Sequence, residues 1–70
     1  MALVLIVEDD VAIRAALKRV LTERRNAVSV AGTGMAGMAL LLQEQPDIVL
    51  LDLGLPDIDG FGVLGMIRGV

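Results

Sequence analysis

Four aliphatic residues, Ile48-Val49-Leu50-Leu51, run without a polar break and end on Asp52. Pro46 precedes the run and Gly54 follows it. An unbroken aliphatic run of this kind predicts a strand buried on both faces, the pattern of a parallel sheet. Open parallel sheets gather ligands at the carboxyl ends of their strands. A carboxylate in that place is therefore a candidate for chemistry. The plainer reading is that Asp52 only opens the turn that Pro56, Asp57, Asp59 and Gly60 continue.

A second run, Leu3 to Val7, ends as abruptly on Glu8-Asp9-Asp10. It predicts another buried parallel strand. Asp10 is a candidate N-cap for the helix that follows. In that helix Ile13, Ala16, Leu17, Val20 and Leu21 recur at helical spacing, and Arg14, Lys18 and Thr22 lie off the stripe. Arg24 and Arg25 suit the negative end of the helix dipole, and Asn26 can end the helix. Ala27 to Ala31 predicts a short strand with Val28 and Val30 on one face. Gly32-Thr33-Gly34 turns the chain, and Thr33 can cap a helix running to about Gln45, stopped by Pro46. Met35, Met38, Ala39 and Leu42 mark the expected buried side of that helix. After the Ile48 run, Asp59 can cap a last helix carrying Phe61, Leu64, Ile67 and Val70. Its glycines at 60, 62, 65 and 69 each weaken it by up to about 1 kcal/mol relative to Ala. The expected architecture is α/β: a βαβαβα chain with a parallel three-stranded sheet and right-handed crossovers.

The chain has 70 residues, 56% of them hydrophobic. A chain of this size buries only about 60% of the surface it exposes when unfolded. So much apolar material calls for a partner chain or for more of the fold. A membrane span does not fit, because charged or polar residues interrupt every apolar run well short of ~18 residues. The start of the chain lacks the basic segment and cleavage site of a signal peptide. There is no Cys and no His, so disulfides are excluded and soft-metal ligation is disfavoured. The net charge of −3 offers no basic footprint for nucleic acid. Oxygen donors are plentiful, so the metal to consider is a hard cation such as magnesium.

Two predicted strands thus end on acids. In a doubly wound sheet of order 2-1-3 those strands are neighbours, with the switch point between them. Glu8, Asp9 and Asp52 would converge at one rim. Carboxylates crowded together repel unless a proton or cation intervenes. Magnesium would relieve that repulsion and leave positions open for phosphate oxygens. The plainer alternative is that Glu8 and Asp10 are solvated loop acids.

Val4-Leu5-Ile6-Val7-Glu8-Asp9-Asp10, then Leu51-Asp52-Leu53-Gly54-Leu55-Pro56-Asp57 with Asp59-Gly60, resembles the receiver (CheY-like) domain of two-component response regulators. Ala31-Gly32-Thr33-Gly34-Met35-Ala36-Gly37-Met38-Ala39 resembles that family's entry to its second helix. The resemblance spans the whole chain in order and is nearest to the DNA-binding, winged-helix subgroup. It implies a flavodoxin-like fold, of which residues 1–70 would be a truncated domain holding the first three βα units. It implies Asp52 as phosphoacceptor. It implies Mg2+ held by Asp9, Asp52 and the Gly54 backbone carbonyl, with Glu8 acting largely through water. It further implies a sensor histidine kinase as partner, a cytoplasmic location, and an accepting module rather than an enzyme. No nucleic acid or membrane contact is expected of this chain. The family's fourth and fifth units, with a Ser or Thr and a Lys that respond to the phosphoryl group, have no counterpart here, nor does an effector domain. The resemblance therefore implies a switch that does not work in the ordinary way, and homodimerisation through the exposed half-domain core.

Two other readings stand beside this one. Gly32-Thr33-Gly34-Met35-Ala36-Gly37 is a literal G-x-G-x-x-G after a predicted strand, the layout of a dinucleotide-binding unit with Asp52 on the ribose. It leaves Glu8, Asp9 and the loop from Leu53 to Gly60 unexplained. The last reading is an inert half-domain whose only activity is self-assembly.

Overall fold

The structure is a computed structural model, and it describes residues 2–51. Strand β1 (Leu3–Val7) leads to helix α1 (Val11–Glu23), then β2 (Ala27–Ala31), α2 (Gly34–Glu44) and β3 (Ile48–Leu51). The expected last helix, with Asp59, Phe61, Leu64, Ile67 and Val70, lies outside the described residues.

The three strands form one parallel sheet in the order β2-β1-β3. That is the 2-1-3 order of the doubly wound sheet expected from the sequence. β1 is central, and Val4, Leu5, Ile6 and Val7 are almost fully buried. The register pairs Val7 with Ala31 on one side and with Leu51 on the other. At the amino ends two side chains tie the strands together. Asn26 Oδ1 accepts from the Ala2 amide at 3.2 Å, and Asp47 Oδ2 accepts from the Leu3 amide at 2.8 Å.

Side chains alternate between the two faces of a sheet. Leu5, Val7 and Ala31 form the core on one face with Leu41 of α2, and Leu40, Val49 and Leu51 pack against it. The other face carries Val4, Ile6, Val28, Val30, Ile48 and Leu50, and α1 contacts it over β2 and β1. The chain moves out from β1 to β2 and then back across β1 to β3, and two crossovers of the same hand in opposite directions put their helices on opposite faces.

Both helix starts are capped as expected. Asp10 Oδ1 accepts from the Ala12 and Ile13 amides at 2.9 and 3.0 Å. The Thr33 hydroxyl accepts from the Ala36 amide at 3.1 Å. Each cap satisfies amides that a helix's first turn leaves unpaired. Asn26 does close α1, donating from its amide and its Nδ2 to the Leu21 carbonyl at 3.1 and 3.2 Å. The turn itself is made by Arg25 at φ 65°, and the turn after α2 by Gln45 at φ 49°.

Three expectations about burial are corrected. The inward side of α2 is Gly34, Gly37 and Leu41, whereas Met35 and Leu42 are 60% and 59% exposed and Ala39 is exposed. A Cβ on Gly37 would lie 2.8 Å from Val7 Cγ2 and 2.9 Å from Val7 Cγ1, so the helix is seated too low for any side chain there. On α1, Ile13, Ala16 and Val20 are exposed, while Arg14, Leu17 and Leu21 are half-buried. Arg14 turns inward because it has a polar partner to reach, the Glu8 carbonyl. Finally, β3 is not buried on both faces: Ile48 and Leu50 are 48% and 36% exposed. Helix α1 lies over β2 and β1, leaving the same face of β3 open.

Ser29, an odd residue for a buried strand, lies on an edge strand and has a dedicated partner. Its hydroxyl meets both carboxylate oxygens of Glu44, at 2.9 and 2.7 Å.

Candidate functional site

The parallel register makes the carboxyl ends of β1 and β3 adjacent, with Val7 opposite Leu51. Glu8 and Asp52 are the next residues in sequence after this pair. Asp52 and Gly54 themselves lie outside the described residues, so the acid rim is described from its β1 side.

On that side the three acids divide their roles. Asp10 is committed to capping α1. Asp9 is exposed at the rim. Glu8 is half-buried, with its Oε2 enclosed. The Glu8 backbone is held at both of its polar groups: its amide donates to the Ala31 carbonyl at 3.0 Å, and its carbonyl accepts from Arg14 Nη1 at 3.1 Å. The first hydrogen bond continues the β1–β2 ladder one residue beyond the strands. The second comes from a residue that periodicity alone had assigned to the outer side of α1. The signal that could have found Arg14 is its position one turn into a helix that starts directly after the acids.

Beside Glu8 opens a cleft of about 220 Å³ lined by Ile6, Val7, Glu8, Leu17, Leu50 and Leu51. Among the described residues its walls are apolar except for Glu8, and it lies between Leu17 of α1 and Leu50 and Leu51 of β3. Apolar walls lower the local dielectric and strengthen any interaction made by a carboxylate there.

Among the described residues no group of three potential metal ligands is assembled. The donors present on the β1 side, Glu8 and Asp9, offer only oxygen, which suits a hard cation of the magnesium type. With Asp10 occupied as a cap, these two are the acids left to serve it. The residues present therefore fit such an ion, and would need the β3 side to complete its shell.

The glycines of the G-x-G-x-x-G segment have packing duties. Gly37 is buried against Val7 of the sheet, and Gly34 is buried at the start of α2. Gly32 lies under the Arg14 guanidinium, so that a Cβ there would come 2.5 Å from Nη1. Among the described residues no helix is long and apolar enough to cross a membrane.

Comparison with known proteins agrees with this geometry. The family model described as the response regulator receiver domain matches residues 4–70. The transcriptional regulatory protein KdpE of Mycobacterium tuberculosis is 45% identical over 69 residues, covering 99% of this chain and 30% of that protein. The transcriptional regulatory protein AfsQ1 of Streptomyces coelicolor is 47% identical over 64 residues, covering 91% of this chain and 28% of that protein. The chain thus spans less than a third of the length of these relatives. Among solved structures, the response regulator TrrA of Thermotoga maritima, in complex with Mg2+ and beryllofluoride, superposes with a TM-score of 0.91 at 33% identity. That match covers 99% of this chain and 60% of the other. The beryllofluoride-activated receiver domain of Klebsiella pneumoniae RstA superposes with a TM-score of 0.88 at 31% identity, covering 96% of this chain and 57% of the other. With its strand order, its acid-tipped central strand and a family match over nearly its whole length, this chain belongs to the response regulator receiver domain family.

Proposed function

We propose that this chain carries the phosphoacceptor of a two-component response regulator, with Asp52 as the accepting carboxylate. The observation that supports it most is the pairing of Val7 with Leu51, each followed in sequence by an acid. Residues 1–70 then correspond to the first three βα units of a receiver, and the remaining switch and effector parts belong to a longer regulator. A sensor histidine kinase is the phosphoryl source, and the cytoplasm is the compartment where such a kinase would meet it.

The chemistry asks little of the chain. A carboxylate oxygen of Asp52 attacks phosphorus in line with the donor's leaving group. A phosphorus–oxygen bond forms as the bond to the leaving group breaks, and the leaving group keeps the electron pair. The product is an acyl phosphate on Asp52. A bound Mg2+ supplies neutralisation of the charge spread over the transferred group. Asp9, Asp52 and the Gly54 carbonyl would hold that ion, with Glu8 acting largely through water.

Incubation with acetyl phosphate and Mg2+ tests this reading. The expected result is a mass gain of one phosphoryl group, lost in Asp52→Asn and retained in Asp47→Asn at the opposite end of the sheet. Equal labelling of Asp52→Asn would overturn the assignment.

A second activity, self-association, is favoured by the open side of β3. Ile48 and Leu50 are exposed there, and Ile13 and Val20 are each 49% exposed along α1. The proposed homodimer covers this surface. Sedimentation at micromolar concentration is expected to show a dimer, and a clean monomer would contradict it.

A further inference from the structure

We propose that Arg14 is a positioning residue for the acid rim, seated in the space left by the missing side chain of Gly32. The inference rests on the reading of Glu8 and Asp9 as the β1-side donors to a hard cation.

The Glu8 carbonyl belongs to the peptide unit that joins Glu8 to Asp9. That unit is planar, so fixing its oxygen fixes the direction in which the Asp9 backbone leaves. Arg14 Nη1 holds this oxygen at 3.1 Å. On the other side of Asp9, Asp10 is pinned by its two bonds to the first turn of α1. Asp9 therefore sits between two anchored neighbours, and the direction in which its Cβ leaves the backbone is set before any ligand arrives. Groups that orient a ligand in this way are worth a large share of a site's affinity.

Gly32 is the second half of the device. The guanidinium end of Arg14 occupies the place where a Cβ at position 32 would stand, 2.5 Å away. The guanidinium is the end of a flexible chain, so a methyl group at 32 would displace Arg14 rather than the backbone. Three segments are thus joined through one planar cation: the end of β1, the first turns of α1, and the turn after β2.

The charge of Arg14 makes the inference testable. A cation near a cation site opposes binding by Coulomb repulsion. If charge were all that mattered, removing Arg14 would tighten the binding of Mg2+. If Arg14 acts by aiming Asp9, removing it weakens binding despite the relief of repulsion.

The test is calorimetric titration of the chain with Mg2+, with circular dichroism melts on every variant. Arg14→Met and Gly32→Ala are each expected to weaken Mg2+ binding roughly tenfold. Gly32→Ala keeps the charge, so its loss reports displacement alone. The double variant should bind no more weakly than Arg14→Met, because Gly32 matters to the site only through Arg14. Arg14→Lys should recover part of the affinity, since an ammonium lacks the flat fork of a guanidinium. Tighter or unchanged binding in Arg14→Met, or additive losses in the double variant, would overturn the inference. If Arg14→Met fails to fold, unchanged binding in Gly32→Ala overturns it alone. Absence of Mg2+ binding by the unsubstituted chain would instead sink the reading of the acid rim on which the inference stands.

Discussion

The two faces of the sheet are covered in different ways. On the α2 face the helix settles directly onto Val7 at Gly37, and Leu41 packs beside it with Leu5 and Ala31. On the α1 face the inward positions are Arg14, Leu17 and Leu21, and the helix stays over β2 and β1. The first face gains close packing, in which small changes of volume are felt strongly. The second gains a polar tether at its upper end and leaves β3 uncovered, with a cleft opening beside Glu8. Tight packing and an open cleft leading to Glu8 are thus found on opposite faces of one short sheet.

The contrast can be broken by substitution. Leu41→Ala on the closed face should cost about 3 kcal/mol in chemical denaturation, by lost burial and an unfilled cavity. Gly37→Ala adds a methyl group against a stiff β-branched Val7. It should cost about 2 kcal/mol even though Ala favours the helix, because overpacking a filled contact strains both partners. Gain of stability in Gly37→Ala would mean that α2 is not seated as closely as described. Asp10→Ala removes two hydrogen bonds to the first turn of α1 and should cost about 1 kcal/mol in the same assay. The smallest effect is expected on the open face. Leu50→Thr, at a position 36% exposed, should cost less than about 1 kcal/mol of monomer stability, while lowering any dimer population seen in sedimentation. A loss as large as that of Leu41→Ala would show that Leu50 is covered within a single copy.

The parts of the fold legible in the sequence were those set by strong local signals. Unbroken aliphatic runs marked β1 and β3, and the alternation of strands and helices pointed to the doubly wound sheet whose 2-1-3 order is observed. Asp10 and Thr33 announced their caps, since short polar side chains before an apolar stripe have few better uses. The inward faces of the helices were less legible. Helical periodicity weighs residues by hydrophobicity, so it preferred Met35 and Leu42 to Gly34 and Gly37. Close approach to a sheet instead selects the smallest residue, and Gly37 has its Val7 contact because it adds nothing to the pattern. Arg14 falls off the apolar stripe for the same reason, and its inward turn depends on a backbone carbonyl that no periodicity reports. The burial of β3 was overestimated, because composition cannot say how far a neighbouring helix reaches. Of the candidate site, Glu8 and Asp9 are found together at the end of β1. Asp52 and Gly54 remain proposed partners on the other side.

The central claim is that the carboxyl ends of β1 and β3 hold one hard cation between them. Paramagnetic broadening of backbone amide signals by substoichiometric Mn2+ tests it most directly. The account predicts that Glu8, Asp9 and Leu51 broaden first, that Asn26 and Asp47 at the amino ends stay sharp, and that Asp52→Asn removes the effect. Broadening that starts at Asp47 or along the outer side of α1, or that survives unchanged in Asp52→Asn, would contradict it.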